Sequence, residues 1–378
     1  MGSVYLHIPF CERKCVYCDF YSVETLAHTD GFLEALRTEI RLAAPVWASE
    51  QMDTVYFGGG TPSLLEPDEL ASVLAALHHS FRISPSAEVT VETNPGTVTA
   101  EKLSAYRSLG VNRLSIGVQS FHEDELAFLG RIHSVPQSLQ CIEDVRRAGF
   151  DNVSMDLIYS LPGQTVERWR ENLRQTLSIR PEHISAYSLI VEDGTPLARL
   201  VGSGVVSPNP SETEAAFYEL TMEILGQAGY EHYEVSNYAI PGFRSAHNSA
   251  YWNHTGYVGL GPSAHSFRPD GRRGRRWANI ANISTYIERL RQTAIPRSFE
   301  EEVSAAEMVN ERIFLGLRSD GVRLDLLRDE FGVDLRVVRG PIVEGMLDEH
   351  LAVDDRGRLK LTPKGFLLCD EIAGRLML

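Results

Sequence analysis

Cys11, Cys15 and Cys18 fall within eight residues, in the run Cys11-Glu-Arg-Lys-Cys15-Val-Tyr17-Cys18. Three thiolates at the spacing C-x3-C-x2-C can bind three irons of a [4Fe–4S] cluster, leaving the fourth iron open to a small chelating molecule. Zinc is the competing use of close cysteines. Zinc sites usually pair one C-x2-C with a second pair further on, and no second pair exists here. The chain has five cysteines, an odd count that speaks against a disulfide framework and for metal or redox chemistry. Cys141 and Cys369 stand alone inside helical patterns and read as plain buried thiols.

Other polar residues recur where strand patterns end. Gly58-Gly59-Gly60-Thr61-Pro62 follows the second strand pattern, and glycines there let backbone groups approach a ligand closely. Glu92-Thr-Asn94-Pro95 ends the third pattern and Gln119 the fourth; Arg131 opens the next helix-turn, and Asp156 lies in the fifth strand. Residues at the carboxyl ends of barrel strands line an active-site mouth. The plainer reading of Glu92 and Asp156 is a satisfied structural carboxylate.

The elements that must carry these residues alternate. Strands are expected over 4–8, 54–57, 88–92, 113–118, 153–158 and 183–189, and helices over 31–44, 67–79, 99–109, 136–148 and 165–179. Pro67, Thr99 and Pro136 are start signals; Gly110 and Gly149 are stops. Such alternation implies right-handed βαβ units around a parallel sheet. About six units fit residues 1–191, too few for eight-fold closure, so the expected fold is α/β, a partial (β/α)6 TIM-like barrel. Residues 192–295 differ: rich in aromatics, Gly, Asn and Ser, with weak periodicity. Ile295-Pro296 looks like a boundary. Residues 296–378 read as helices over 301–317, 324–331 and 341–348, a hairpin of 351–353 with 359–361, and a closing helix over 363–375, a winged-helix-like α+β domain.

Composition narrows function. The net charge is -15, with 43% hydrophobic and 23% charged residues, the balance of a globular protein. Binding to nucleic acid needs clustered positive charge, so no nucleic-acid partner is expected. No run of 18 apolar residues appears, and the strand-like start Val-Tyr-Leu-His-Ile is unlike a signal segment, so a cytoplasmic location is expected. Arg268, Arg272, Arg273, Arg275 and Arg276 form the one basic run, either a solvated loop or a site for carboxylates or anionic lipid.

The cysteine motif with Tyr17 before its last member resembles the radical S-adenosylmethionine (SAM) superfamily. That resemblance implies a [4Fe–4S] cluster on Cys11, Cys15 and Cys18 and SAM on its open iron. SAM contacts carry over to Tyr5, Tyr17, Gly59, Gly60, Thr61, Glu92, Gln119, Arg131 and Asp156. Tyr5-Leu-His7-Ile8-Pro9-Phe10-Cys11, Gly-Gly-Gly-Thr-Pro, Ser115-Ile-Gly-Val-Gln119-Ser-Phe121 and Asp156-Leu-Ile-Tyr-Ser-Leu-Pro162-Gly-Gln-Thr165 are similar to the coproporphyrinogen-dehydrogenase-related group. Its oxygen-independent dehydrogenase branch (HemN) has a fourth cysteine two residues after the third and a long N-terminal extension. Here Phe20 holds that position and ten residues precede Cys11.

Both departures match the HemW-type haem chaperones, as do Glu234-Val-Ser-Asn-Tyr238-Ala, the H-N-x-x-Y-W motif His247-Asn248-Ser-Ala-Tyr251-Trp252, and Gly259-Leu-Gly261-Pro-Ser-Ala-His265-Ser. The resemblance implies haem as a further cofactor, bound through His247, Asn248, Tyr251 and Trp252, and delivery to haemoproteins such as respiratory cytochromes. A neutral imidazole is a good axial ligand to haem iron. His232, His254 and His265 are unranked substitutes for His247; equally, these histidines and the aromatics Tyr233, Tyr238, Tyr257 and Phe267 serve packing. Service to membrane cytochromes implies peripheral membrane contact, although no amphipathic anchor is evident, and a homodimer is left open. The competing functions are a porphyrinogen oxidase and another radical SAM reaction.

Overall fold

The computed structural model describes residues 2–378. Six parallel strands form its frame: β1 Gly2–Ile8, β2 Gln51–Gly59, β3 Arg82–Thr93, β4 Arg113–Gln119, β5 Val153–Tyr159 and β6 His183–Ser188. Each crosses back through helices, among them Thr29–Ala43, Pro67–Ser80, Ala100–Ser108, Val135–Arg147 and Val166–Ile179. The starts are set by local chemistry: the Thr99 and Thr165 side chains accept first-turn N–H groups, and Ser134 and Gln137 form a capping box. A short helix that the periodicity does not reveal, Glu123–Leu129, ends on left-handed Gly130, and Arg131 follows it directly.

Side chains on these strands alternate between two faces. Val4, Leu6 and Ile8, or Leu114, Ile116 and Val118, belong to the one large apolar core. The opposite positions are polar: Tyr5 and His7 on β1, and Arg113, Ser115 and Gln119 on β4. The six-strand arc therefore has an apolar face under helices and a polar face around a cavity.

The arc does not close. The sheet has twelve strands in the order β12-β11-β10-β9-β1-β2-β3-β4-β5-β6-β8-β7. The additional strands are β7 Glu231–Glu234, β8 Asn237–Ala239, β9 Tyr257–Leu260, β10 His265–Asp270, β11 Arg273–Asn279 and β12 Arg297–Val303. The weakly periodic segment thus feeds both edges: β8 pairs antiparallel with β6, while β9 runs parallel to β1. The strands β7, β8 and β9, of three or four residues each, are too short to show a period.

The helix expected over 301–317 begins later, at Ala305, because Arg297–Val303 is a strand whose glutamates face the β11 arginines. Ser304 and Glu307 then cap the helix. The basic run is consequently not a free loop. Arg275 pairs with Glu300, Arg276 with Glu301 and Glu311, and Arg268 lies over the Trp47 ring. Beyond Ser304 come helices Leu324–Phe331 and Gly340–Asp348 and a three-stranded sheet, β13 Val322–Arg323, β14 Ala352–Asp355 and β15 Arg358–Leu361. The closing helix is broken into Pro363–Phe366 and Cys369–Leu376.

Candidate functional site

The carboxyl ends of the six strands surround a cavity of about 440 Å³, within the size range of small-molecule sites. Cys11, Cys15, Cys18, Tyr17, Gly59, Gly60, Thr61, Glu92, Gln119, Arg131, Asp156 and Asn248 all line it. Residues far apart in sequence meet here, Cys15 and Arg131 across 116 positions, because parallel strands bring like ends and their following loops together.

The cysteine loop is joined to the strand ends by one chain of hydrogen bonds. Thr61 Oγ1 donates to Cys11 Sγ (3.7 Å), Asn94 Nδ2 donates to Thr61 Oγ1 (2.9 Å), and Arg131 Nη2 donates to Asn94 Oδ1 (2.5 Å). Arg131 Nη1 then donates to Cys15 Sγ (3.4 Å). Burial pushes the Cys18 thiol up to about 11 and raises Cys11 as well, against the lowering effect of Lys14 and Arg131. Among the described residues no three ligating side chains surround a single-ion position. The donor set fits a group larger than one ion: three thiols on one cavity wall, with a guanidinium and a hydroxyl donating to sulfur.

The glycine turn has a tighter rationale than ligand approach. A Cβ on Gly59, whose φ is +108°, would lie 2.7 Å from the His7 ring, and one on Gly60 would lie 2.5 Å from the Phe10 carbonyl oxygen. Gly60 N–H donates to Ile8 O and Thr61 N–H to Phe10 O. The turn is therefore laced onto the end of β1, which sets where Cys11 leaves the sheet. Gly117 does similar work deeper in: a Cβ there would crowd Gln119 Nε2, Asn94 Oδ1 and Arg131 Nη2 together.

Below this layer lie the acids. Glu92 accepts from Tyr56 Oη (2.8 Å) and Gly59 N–H (3.2 Å), and burial pushes it up to about 7. Asp156 accepts from Ser115 Oγ at both oxygens (3.1 and 3.0 Å) and is also raised by burial. Arg113, 2% exposed, completes the floor, its Nε buried without a hydrogen-bond partner and 4.0 Å from Glu88. Tyr56, Arg113, Ser115, Gly117, Ser185 and Tyr187 line the cavity without having been singled out in the sequence. The signal was there: positions 113, 115, 117 and 119 share one face of β4 by strand alternation.

Tyr5, His247, Tyr251 and Trp252 do not line the cavity. Tyr5 stands behind Gly58, its ring stacked on Tyr56 at 6.2 Å and its hydroxyl 3.2 Å from His7 Nδ1. His247 is 2% exposed, with Nδ1 2.7 Å from Thr54 Oγ1 and Nε2 3.0 Å from Tyr251 Oη. Burial pushes it down to about 3, so it is neutral. Both of its ring nitrogens are engaged in this arrangement, within and beside helix Ala246–Trp252. His232 stacks on Tyr238 and His254 on Phe267, both at 4.5 Å, whereas His265 is exposed. Cys141 and Cys369 are buried thiols, as expected.

Comparison with known proteins follows this geometry. Residues 5–175 match the model of the radical SAM superfamily, and residues 303–368 match the HemN C-terminal domain. Heme chaperone HemW of Lactococcus lactis is 35% identical over 100% of this chain and 97% of its own length. Heme chaperone HemW of Bacillus subtilis is 34% identical over 100% and 99%. The chain belongs to the HemW heme chaperone family. The mitochondrial radical S-adenosyl methionine domain-containing protein 1 of Danio rerio is also 34% identical, over 100% of this chain and 87% of its own. Coproporphyrinogen III oxidase (HemN) from Escherichia coli shares the fold: TM-score 0.85 at 22% identity, covering 100% of this chain and 90% of that one. Membership of the radical SAM superfamily implies SAM and a [4Fe–4S] cluster. No helix among the described residues is long and apolar enough to cross a membrane.

Proposed function

We propose that this HemW-family chain binds haem and hands it to recipient haemoproteins such as respiratory cytochromes, with a SAM-ligated cluster governing the transfer. Full-length similarity to heme chaperones is the observation that carries the reading. Phe20 in place of a fourth cysteine agrees with it.

Cys11, Cys15 and Cys18 would hold the [4Fe–4S] cluster, which when bound supplies an iron with an open position for a chelating ligand. Arg131 holds the Cys15 sulfur and, through Asn94 and Thr61, couples it to Cys11. A guanidinium there offsets thiolate charge. Glu92, Gln119, Tyr17 and Asp156 are the SAM contacts we assign on the cavity wall. Glu92 near neutrality can accept from an ammonium group as a carboxylate or keep its own proton when that group is absent. Asn248 lines this cavity from helix Ala246–Trp252 and is the member of the H-N-x-x-Y-W motif that does so. Glu88 holds the helix start, accepting from Ala246 and His247 N–H at 3.0 Å each.

An anaerobic haem titration of the cluster-reconstituted chain, followed at the Soret band, tests the proposal beside a protoporphyrinogen-formation assay. Saturable haem uptake without porphyrinogen turnover is the expected pair of results. Turnover without haem uptake would return the chain to the oxidase reading.

A further inference from the structure

A line of buried polar groups runs from the cavity to the start of helix Ala246–Trp252. Ser245 caps that helix by accepting from Asn248 N–H (3.2 Å), and its own N–H donates to Tyr233 Oη (3.3 Å). Tyr233 Oη lies 2.7 Å from His183 Nε2, and His183 Nδ1 lies 2.7 Å from Ser154 Oγ. Ser154 donates to Asp156 Oδ1 (3.3 Å), and Asp156 lines the cavity. Ser245, Tyr233, His183 and Ser154 are all buried. Strand geometry builds the line: β5 and β6 pair Ser154 with His183, and alternation puts Ser154 and Asp156 on one face.

The line has a direction. A backbone N–H can only donate, so the Tyr233 oxygen accepts from Ser245 and its proton is left for His183 Nε2. Burial, with Arg113 nearby, holds His183 well below its ordinary value, so the ring is neutral and carries one N–H. With Nε2 accepting, that N–H is on Nδ1 and faces Ser154, whose hydroxyl goes on to Asp156. Each proton therefore points toward the Asp156 carboxylate. Only one state of Asp156 keeps the line whole. As a carboxylate it accepts from Ser154. With a proton of its own on Oδ1 it turns the Ser154 and His183 donors back, and the Tyr233 hydroxyl then meets two donors and no acceptor. Burial favours the protonated state, and a ligand that donates to Asp156 favours the carboxylate. A buried polar group without its partner is costly, so filling the cavity is felt at Ser245.

We propose that Tyr233 and His183 are positioning residues that couple Asp156 to the start of the H-N-x-x-Y-W helix, so that SAM in the cavity changes how firmly that helix holds haem. This rests on the reading above, with haem on His247, Asn248, Tyr251 and Trp252, and names the side chains by which the SAM site governs the haem site. Glu88 keeps two further N–H groups of the helix whatever happens at Tyr233, so the line adjusts the helix and does not hold it alone.

Tyr233→Phe removes one hydroxyl and keeps the ring, and Ser154→Ala cuts the line at its other end; if one of them does not fold, the other carries the test. Tyr230→Phe is the control, a similarly buried hydroxyl that donates to Pro181 O outside the line. Each full chain, cluster-reconstituted, would be titrated anaerobically with haem, with and without saturating SAM. Iron content and the SAM Kd would be measured in parallel. SAM is expected to change the haem Kd of the parent and of Tyr230→Phe at least about fivefold, and that of Tyr233→Phe and Ser154→Ala less than about twofold. The iron content and SAM Kd of Tyr233→Phe should match the parent. Coupling that survives in Tyr233→Phe overturns the relay and leaves the chaperone reading standing, as does coupling lost equally in Tyr230→Phe. A parent whose haem Kd ignores SAM overturns the relay too. If the parent takes up no haem, the chaperone reading falls, and amide hydrogen exchange over residues 245–252 decides the relay by itself. SAM should slow that exchange in the parent and leave it unaltered in Tyr233→Phe; no effect of SAM in the parent overturns the relay.

Discussion

Glu92 shows how one residue can report on the cavity. Its carboxyl is raised from an ordinary value of 4.5 to about 7, with burial as the main cause and the Tyr56 hydroxyl opposing it. A folded-state value above the unfolded one means that the stability from the neutral acid is present below about pH 4.5 and is lost as pH rises through 7. Glu92→Gln should therefore be more stable than the ligand-free parent at pH 8, by about 3 kcal/mol, and no more stable at pH 4. Urea midpoints at the two pH values check this. Glu39 and Glu234, also raised by burial, to about 7 and about 8, are common to both proteins and cancel in the difference. The same substitution should weaken SAM binding, because it removes the carboxylate that faces the cavity. Unaltered SAM affinity in a calorimetric titration would take Glu92 out of the proposed SAM contacts.

At the scale of elements, close strand packing decides where the cysteine loop begins. Gly259 on β9 lies against β10, and a Cβ there would overlap the His265 carbonyl; β9 in turn pairs with β1. Gly259→Ala should cost about 3 kcal/mol, at the upper end for overpacking because backbone cannot yield as a side chain can. A lower denaturant midpoint is the readout, with a milder effect expected for Gly242→Ala, where the only obstacle is a positive φ of +93°. Gly60→Ala should act differently from Gly259→Ala. Its clash is with Phe10 O, one residue before Cys11, so cluster iron content should fall before stability does. Iron retained in full by a folded Gly60→Ala protein would show that the turn does not position the loop.

For the whole molecule, one apolar cluster runs from Val4 in β1 to Leu376 in the last helix, so the C-terminal module shares its core with the sheet. Phe366 packs on His232, and Val235 N–H donates to Arg318 O (2.8 Å) across the same junction. Glu311 on the helix Ala305–Leu317 accepts from Arg276 and lies 2.8 Å from His254 Nε2. Scanning calorimetry of the full chain should therefore give one cooperative transition. A separate early melting of residues beyond 304 would contradict a shared core. Removal of that segment should expose apolar surface and lead to aggregation.

Much was legible in the sequence. The six parallel strands and their crossover helices follow from β-branched runs separated by capped amphipathic stretches, because each element is long enough to show its own period. The cluster motif is legible because its three ligands are neighbours in sequence. The strands β7 to β12 were not: β7, β8 and β9 are only three or four residues long, and β10 to β12 carry charged residues that break the apolar alternation. The same physics separates the site residues. Glu92 and Gln119 end their strands, and Asp156 within β5 lines the same cavity, so strand position and the family resemblance together named them. His247 could not be placed that way: a histidine's surroundings, not its type, decide whether its nitrogens are free. Thr54 and Tyr251, one of them 193 residues away in sequence, occupy both. Likewise Phe20 reads in sequence only as a missing cysteine. That it borders the same cavity as Ile190 depends on how far a six-strand arc curls before it stops.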